Sequence, residues 1–224
     1  MGFSNYKLLE KKKLTNDVYE MIFSDGNKTS NKPGQFMTFM LPKTGFGRAY
    51  SICETSNDKY IFIIKRVENG RGGSIEITDL EIGSELKAVG PSGHFILKEN
   101  NKAKIFFATG VGLAPLYNQL QSIYDSGLKY KTKLIFGLKN KEDLFYIDKF
   151  EKLKEKIDFE YKIYLSKEND VNFEYGHITN FITKENIDGF EEFYICGNNM
   201  MMDECISKLE NLGFSRENIH NEKF

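Results

Sequence analysis

The sequence predicts an antiparallel β domain, either a barrel or a sandwich, followed by a doubly wound parallel α/β domain. Up to residue 99, short β-rich runs recur between turn-forming residues. From residue 102 onward, apolar strands alternate with helical patterns, which is typical of a parallel sheet. A polar run at residues 98–102 separates the two patterns. We therefore expect two domains, residues 1–99 and residues 102–224, with a ligand cleft between them.

The first half contains several predicted strands and one short helix. The strands cover residues 18–23, 35–41, 48–53, 60–67 and 85–89. Turn formers rich in Gly, Pro, Ser and Asp lie between them, as in barrels and sandwiches built from many short strands. The helix is predicted to begin at Gly73 and Ser74. Residues 1–14 are polar and receive no predicted strand.

The second half alternates strands and helices. Parallel neighbours need crossover connections, which a helix usually supplies, so this alternation predicts a doubly wound sheet. Ligands of such sheets bind at the carboxyl ends of the strands. Strands are predicted at residues 104–108, 133–136, 161–165 and 193–196, with helices at 110–124, 148–157 and 200–212.

The composition argues against several classes of function. The 31 Lys and Arg residues nearly balance the 32 Asp and Glu residues, so no basic field over the whole chain attracts nucleic acid. No apolar run approaches the roughly 20 residues that cross a bilayer. No signal-peptide pattern opens the chain. We therefore expect a cytoplasmic protein without a membrane span.

The spacing of cysteine and histidine predicts no metal site. Three cysteines without close pairs build neither a disulfide framework nor a four-cysteine iron–sulfur cluster. The histidines are also far apart, and we interpret them as surface or loop residues. These residues are Cys53, Cys196, Cys205, His94, His177 and His220.

A glycine-rich loop joins the first strand of the second half to its helix. Glycines let the backbone approach a pyrophosphate closely, and the helix N-terminus offers N–H groups and a positive dipole end. A tight turn without a ligand is the alternative, because Pro115 stands where the usual fingerprint has its third glycine. The candidate binding residues of this loop are Thr109, Gly110, Gly112, Leu113 and Pro115.

A second candidate site is Arg48-Ala49-Tyr50-Ser51 on a predicted strand. Strand alternation puts Arg48 and Tyr50 on one face and Ala49 and Ser51 on the other. An arginine beside a tyrosine suits a ligand that carries both a phosphate and a flat ring. The alternative is a surface cation next to a half-buried tyrosine.

Gly72, Gly73 and Ser74 precede the predicted short helix. Successive backbone N–H groups in such a turn hold a phosphate well. A flexible hairpin that ends in a helix cap is the alternative.

Two further candidates lie near the end of the chain. Cys196 follows a predicted strand, where a thiol points into the ligand crevice of an α/β fold. A free cysteine is also commonly a small buried apolar residue. The chain ends in Glu222-Lys223-Phe224, for which a frayed tail is the alternative to a functional role.

Taken in order, these segments resemble the motifs of the ferredoxin–NADP reductase family of flavoproteins. Residues 48–51 resemble the family's Arg-x-Tyr-Ser flavin motif, and residues 72–74 its glycine–serine motif. Residues 109–115 are similar to its Gly-Thr-Gly-Ile-Ala-Pro nucleotide loop. Residues 196–201 are similar to its Cys-Gly-x-x-x-Met element. The resemblance extends from about residue 5 to the last residue.

The resemblance implies a Greek-key barrel that binds FAD in residues 1–99. Arg48 would hold the pyrophosphate together with the turn at residues 72–74. Tyr50 would stack on the isoalloxazine, and Ser51 would place its hydroxyl near flavin N5, where hydride arrives. The other residues implied to contact the flavin are Ala49 and, through their backbone groups, Lys65, Arg66 and Val67.

The resemblance also implies a nucleotide-binding second domain and a catalytic set. Cys196 would pack near C4 of the nicotinamide, Glu222 would relay a proton, and Phe224 would cover the flavin face. Ser166-Lys167 resembles the Ser-Arg pair that binds the 2′-phosphate of NADP, so we expect NADPH, with NADH left open. The residues implied to bind the dinucleotide are Thr109, Gly110, Gly112, Leu113, Pro115, Ser166, Lys167, Cys196, Gly197 and Met201.

By this resemblance, the chain is expected to pass electrons from NAD(P)H through FAD to a separate acceptor such as ferredoxin or flavodoxin. Two alternatives stay open. One is an NAD(P)H:flavin reductase that uses free flavin as its substrate. The other is a non-catalytic subunit that docks a larger redox complex.

Overall fold

The computed structural model describes residues 2–223, and its first half is a closed antiparallel barrel of strand order β1-β2-β5-β4-β3-β6. β2 pairs with β5, and β6 returns to pair with both β3 and β1, so the connections are of the Greek-key type. The predicted barrel is confirmed, and the sandwich alternative is wrong. The elements are β1 (Ser4–Lys13), β2 (Val18–Ser24), β3 (Phe36–Leu41), β4 (Phe46–Ser56), β5 (Lys59–Lys65), α1 (Gly73–Thr78) and β6 (Glu85–Ser92).

Strand β1 was not expected, because residues 1–14 are polar. Only Tyr6 and Leu8 of this strand are buried, and the alternate side chains face solvent. Lys11 covers the barrel end, where its Nζ donates to the carbonyls of Thr78 and Leu80. A strand that buries two side chains carries too little apolar signal to be found from its sequence.

Aromatic side chains fill the barrel interior. The rings of Phe23 and Phe39 lie 4.8 Å apart, and those of Phe39 and Phe62 lie 5.2 Å apart in an edge-to-face arrangement. All three side chains are fully buried. Burying one such side chain stabilises a fold by about 1.5–3 kcal/mol. The barrel therefore has a core of its own, built from the inward-facing residues of its strands.

The second half is a parallel sheet of strand order β10-β9-β8-β7-β11-β12. From β7 the chain adds β8, β9 and β10 on one side, and it then adds β11 and β12 on the other side of β7. The strand order therefore reverses between β7 and β11, and ligands of such sheets bind at this switch point. The predicted doubly wound sheet is confirmed. Its elements are β7 (Lys104–Thr109), α2 (Leu113–Ser126), β8 (Thr132–Leu138), α3 (Ile147–Lys154), β9 (Phe159–Leu165), β10 (Glu174–Tyr175), β11 (Glu192–Cys196), α4 (Asn199–Asn211) and β12 (Ile219–Glu222).

Two short edge strands and one helix start differ from the prediction. β10 and β12 were missed, because their few residues lack an apolar run and pair only with one neighbour. The first helix was expected from residue 110. It begins at Leu113 instead, after a single 3₁₀ turn in which Gly110 has a left-handed φ of +53°.

Helix α2 packs against barrel strand β4 and fixes the two halves to each other. Asn118 Oδ1 accepts hydrogen bonds from Gly34 N at 3.0 Å and from Asn31 Nδ2 at 3.1 Å. Gln119 Nε2 donates to the carbonyl of Phe95 at 2.8 Å. A Cβ on Gly34, which has a φ of +102°, would overlap the Phe95 carbonyl oxygen, so only glycine permits this contact.

A buried polar cluster forms a second bridge between the halves. The Tyr146 hydroxyl donates to Glu20 of β2 and lies 3.8 Å from the Cys53 Sγ of β4. Lys149 of α3 places its Nζ 2.7 Å from Glu54 and 3.6 Å from Glu20. Attraction between these charges in a partly buried setting holds α3 against the barrel.

The predicted domain boundary falls between the two sets of strands. The last barrel strand ends at Ser92 and the first sheet strand begins at Lys104. The two-domain division at residues 98–102 itself stays a prediction. No helix among the described residues is long and apolar enough to span a membrane.

Candidate active site

Three residues expected to be catalytic meet where the barrel touches the sheet. The Ser51 hydroxyl of β4 donates to Glu222 Oε2 of β12 at 3.1 Å. The Cys196 Sγ of β11 lies 3.5 Å from the backbone carbonyl of Glu222. Ser51 is 4% exposed and Cys196 is fully buried. The geometry therefore joins groups from both halves at one point. The fourth expected residue, Phe224, lies outside the described residues.

The strand pairing explains this meeting. β12 runs parallel to β11, and their register puts Glu222 beside Cys196. In β4, Ser51 faces away from the barrel core because it alternates with Tyr50 and Ile52. Its side chain thus points toward the carboxyl edge of the sheet.

The buried setting raises two pKa values. Burial raises the pKa of the Glu222 carboxyl above its usual range, and the hydrogen bond from Ser51 opposes this shift only in part. Burial, followed by the nearby Glu222 charge, raises the pKa of the Cys196 thiol well above its usual value. Cys196 is therefore a neutral thiol at physiological pH, and the carboxyl of Glu222 holds a proton more readily than an exposed glutamate does.

Arg48 and Tyr50 share one face of β4, as the alternation predicted. Arg48 Nη1 donates to the Gly47 carbonyl at 2.9 Å, whereas the buried Nη2 has no hydrogen-bond partner among residues 2–223. Tyr50 is half-buried against the barrel core, and burial raises its pKa to about 12. Ala49, on the other face, is exposed. A buried donor without a partner costs free energy unless a ligand accepts its hydrogen bond.

The glycine turn before α1 lies against Arg48. A Cβ on Gly73 would lie 2.8 Å from Arg48 Nε, and Gly72 has a left-handed φ of +83°. Ser74 Oγ accepts a hydrogen bond from Val67 N at 3.0 Å. The absence of side chains at residues 72 and 73 therefore lets the guanidinium pack directly against this backbone turn.

The segment at residues 65–67 has fewer backbone N–H groups free to bind a flavin than expected. The Arg66 N–H donates to the Asp17 carbonyl at 2.7 Å, and the Val67 N–H is bonded to Ser74. The Arg66 guanidinium contacts acidic side chains, and Lys65 Nζ lies 2.8 Å from Asp17. The N–H groups at residues 66 and 67 are thus committed within the protein.

A cavity of about 600 Å³ opens at the carboxyl ends of β7, β8, β9 and β11. This is the edge at which a doubly wound sheet binds its ligands. Several expected nucleotide-binding residues line it, together with one from the flavin set. They are Lys65, Thr109, Gly110, Gly112, Ser166, Lys167, Gly197 and Met201.

The glycines of the loops after β7 and β11 are needed for two different structural reasons. A Cβ on Gly112 would lie 2.6 Å from Gly197 Cα, and a Cβ on Gly197 would lie 2.9 Å from Thr109 N. These glycines therefore allow the loops after β7 and β11 to touch. A Cβ on Gly110 meets nothing within 4 Å, so this glycine faces open space at the cavity.

Two expected binding residues do not line the cavity. Leu113 and Pro115 are buried in the first turn of α2, where a proline is tolerated because the first N–H groups of a helix have no intrahelical partner. Their side chains support the loop from behind. Cys196 likewise lies behind the lining, while its neighbour Gly197 is exposed to the cavity.

The cavity wall carries unneutralised positive charge. Lys139 and Lys167 are exposed there, and a 2.9 Å backbone hydrogen bond from Lys167 N to the Lys139 carbonyl holds them side by side. Neither lysine forms an ion pair within the described part of the chain. Three acids also line the wall: Asp17 pairs with Lys65, Glu204 pairs with Lys208 at 3.2 Å, and Asp143 Oδ2 accepts a hydrogen bond from Asn140 N at 3.1 Å. The field beside Lys139 and Lys167 therefore favours an anionic ligand.

Sequence reasoning missed several lining residues, and two histidines illustrate the reason. His177 was read as a surface residue, and it is exposed, but it lies in the cavity wall beside Thr179. The reading of His220 as a surface or loop residue was wrong. It lies half-buried on β12, its ring centroid 4.7 Å from that of Tyr194, and burial lowers its pKa. Neither placement follows from local pattern. The other missed lining residues include Asp17, Asp143, Phe145, Asn198, Met200 and Glu204.

Comparisons with known proteins agree with this geometry. A family model described as an oxidoreductase NAD-binding domain matches residues 106–207. Ferredoxin--NADP reductase B of Sorangium cellulosum is 33% identical over 169 residues, which cover 72% of this chain and 69% of that protein. The toluate 1,2-dioxygenase electron transfer component of Pseudomonas putida is 27% identical over 201 residues, 88% of this chain and 60% of that protein.

A solved structure shares the fold over the whole chain. The ferredoxin NADP⁺ reductase of Neisseria gonorrhoeae, described with bound FAD and NADP, superposes with a TM-score of 0.87 at 19% identity. The match covers 99% of this chain and 98% of that one. By contrast, this chain spans 55–60% of the length of the first curated relatives that it matches.

Proposed function

Because the chain belongs to the ferredoxin–NADP reductase family, we propose that it is an FAD-dependent oxidoreductase. It transfers hydride between NAD(P)H and FAD and then passes single electrons to a separate acceptor. The observation that carries this proposal is the meeting of Ser51, Cys196 and Glu222 next to the nucleotide cavity. These three residues supply a proton-holding pair and a small buried thiol at the point where a flavin bound by the barrel and a nicotinamide bound by the sheet would come together.

The residues around Arg48 fit the FAD pyrophosphate. The buried Nη2 without a partner is a donor awaiting an acceptor, and phosphate oxygens are the preferred partners of guanidinium groups. The bare backbone at Gly72 and Gly73 lets this turn lie directly against the arginine side chain. Tyr50 offers its ring on the same strand face for stacking. When bound, FAD supplies the acceptance of hydride and the release of electrons one at a time.

Ser51 and Glu222 handle a proton at the reacting face. The Ser51 hydroxyl donates to Glu222 and is therefore fixed in one orientation. Because burial raises the pKa of Glu222, this carboxyl exchanges a proton closer to neutral pH than an exposed glutamate does. The pair thus positions a hydroxyl and holds a proton where the flavin ring edge would lie.

Cys196 acts through its size and its neutrality. Its thiol is fully buried behind the cavity lining and directed at the Glu222 carbonyl, so it fills this space without charge. A larger side chain here would displace Glu222 and the adjacent Gly197 of the cavity wall, and with them the nicotinamide. We therefore assign it a positioning role in the alignment of donor and acceptor rings.

The cavity charges favour NADPH. Lys139 and Lys167, with the hydroxyl of Ser166 beside them, offer cations at the carboxyl ends of β8 and β9. No acidic residue stands directly at the end of β8, where Leu138-Lys139-Asn140 takes the place of the acid that would bind the ribose hydroxyls of NADH. The same two lysines attract the extra phosphate that distinguishes NADPH from NADH.

The acceptor is proposed to be a small redox protein of the ferredoxin or flavodoxin type, or an oxygenase component. The relative from Pseudomonas putida is named an electron transfer component of a dioxygenase, which supports this class of partner. The three free, buried cysteines suit a reducing compartment, and we propose the cytoplasm as the location.

The first experiment is the visible spectrum of the purified protein, followed by anaerobic titration with NADPH and then with NADH. We expect flavin absorption that bleaches with NADPH at lower concentration than with NADH. Loss of flavin during purification, with turnover only when free flavin is added, would favour the flavin reductase alternative. A protein that neither binds added FAD nor reacts would contradict the proposal and leave the docking-subunit alternative.

A further inference from the structure

An exposed phenylalanine extends the row of side chains formed by Arg48 and Tyr50. Phe46, Arg48 and Tyr50 alternate along β4, and their partners on β3 are Leu41, Phe39 and Met37. Residues two apart on a strand share a face and lie about 7 Å apart. One strand face therefore presents a ring, a cation and a second ring in succession.

The Phe46 side chain has unused stacking surface. It is 51% exposed, although phenylalanine is more commonly buried. Among residues 2–223 its ring has no aromatic partner, and the Arg48 guanidinium lies 4.8 Å from its centroid. An exposed aromatic ring next to an unsatisfied cation is a platform for a ligand that combines a flat ring with a phosphate.

The turn that carries Phe46 is held in place. Glu76 of α1 is 6% exposed, and its two carboxylate oxygens accept hydrogen bonds from Lys43 N at 2.7 Å and Thr44 N at 2.8 Å. Gly45 N donates to the Leu41 carbonyl at 2.9 Å and closes the hairpin. The backbone that carries the ring is thus positioned before any ligand arrives, which reduces the entropy lost on binding.

We propose that Phe46 stacks on the adenine of FAD and thereby selects FAD over FMN. The order ring, phosphate, ring along the cofactor matches the order Tyr50, Arg48, Phe46 along the strand. FMN carries one ring and one phosphate, so it uses Tyr50 and Arg48 and leaves Phe46 bare. This inference rests on the proposed flavoprotein function and adds the specificity for the adenosine half.

The test titrates the full chain, freed of flavin, with FAD and separately with FMN, and follows flavin fluorescence. Phe46→Ala is expected to weaken FAD binding at least about tenfold, the scale of one base stacked on an aromatic ring, and to leave FMN binding unchanged. Phe46→Tyr keeps the ring and should retain the affinity for FAD. Met40→Ala is the matched control, because Met40 is also exposed on this hairpin but pairs with Gly47 and faces the other side.

The remaining outcomes separate the two proposals. If Phe46→Ala weakened FAD binding and FMN binding equally, Phe46 would act through Arg48, and the assignment of Phe46 to the adenine would be overturned. Unchanged affinity for both flavins would overturn it as well. A wild-type protein that binds neither flavin would refute the proposed function itself.

Discussion

The Ser51 hydroxyl and the Glu222 carboxylate form a 3.1 Å hydrogen bond between residues that are 171 positions apart in the sequence. The bond links the barrel to the sheet at the place where a flavin and a nicotinamide would meet. It gives the serine hydroxyl a fixed direction, and within residues 2–223 it is the one side-chain hydrogen bond of the Glu222 carboxylate. Both residues can therefore be tested separately.

Ser51→Ala removes the hydroxyl from the proposed reacting face. We expect the rate of flavin reduction by NADPH to fall at least about tenfold, because a lost contact at the reacting centre misaligns the donor and acceptor rings. The content of bound FAD should not change, since Arg48 and Tyr50 remain. Stopped-flow absorbance under anaerobic conditions measures the rate. Ser56→Ala, at the exposed end of the same strand, is the control. An unaltered rate in Ser51→Ala would remove this residue from the mechanism.

Glu222→Gln tests the raised pKa of Glu222 through stability. An acid whose folded-state pKa lies above its unfolded value, about 4.3 for glutamate, stabilises the fold below that value. This contribution is lost as the pH rises through the folded-state pKa, because the buried carboxylate then ionises. Glutamine cannot ionise, so the Tm of the variant relative to wild type should increase from pH 4 to pH 7.5.

Thermal unfolding across this pH range measures the difference in Tm. Glu217→Gln, at an exposed position in the turn before β12, is the matched control and should show no such trend. A difference in Tm between Glu222→Gln and wild type that stays constant with pH would contradict the raised pKa.

Gly112→Ala tests the contact between the two loops at the cavity. The backbone at Gly112 has an ordinary φ of −59°, so the effect comes from the new methyl group, which would press on Gly197. We expect the free energy of unfolding to fall by about 1–3 kcal/mol, the usual cost of overpacking. The KM for NADPH should rise, because the loops move apart.

Gly127→Ala provides the comparison for this prediction. Gly127 ends α2 with a left-handed φ of +68° and open space around it. Alanine there should also lower stability, by roughly 1–2 kcal/mol for the strained backbone, with the KM unchanged. Equal effects of both variants on KM would show that the loop contact does not shape the nucleotide site.

Lys139→Ala and Lys167→Ala test the nucleotide preference. Each should raise the KM for NADPH by about tenfold, the scale of one hydrogen bond to a charged group, and leave the KM for NADH unchanged. Lys141→Ala is the control, because its Nζ pairs with Asp170 at 2.8 Å. Steady-state kinetics with each donor measures the difference. An equal rise in the KM for NADPH and the KM for NADH would contradict a role of these lysines in recognition of the 2′-phosphate.

Most of the fold followed from local patterns, and its exceptions share a cause. The strands that bury an apolar run, such as β7 and β11, were visible in the sequence. β1 and β12 were not, since each depends on its neighbour rather than on its own hydrophobicity. The place of His220 against Tyr194 depends on the same pairing of β12 with β11. Such tertiary pairing leaves little trace in a single sequence.

The candidate site likewise contains features that local sequence patterns predicted and features that depend on tertiary contacts. The glycine loop and the Arg48–Tyr50 face were predicted from residue type and spacing. The structural role of Gly112 in the contact between the two loops was not predicted. A glycine that accommodates a ligand and a glycine that accommodates another loop look the same in a sequence. His177 in the cavity wall carried no local signal, since it lies among the residues between β9 and β11 for which no element was predicted.

The two halves of this protein are not interchangeable modules. Gly34 and the Phe95 carbonyl are matched to Asn118 and Gln119 of α2, and the acids of β2 and β4 are matched to Tyr146 and Lys149. A chimera that took its barrel from one relative and its sheet from another would leave buried polar groups on both sides without partners. Successful domain exchange therefore requires transfer of the contacting residues along with the domain.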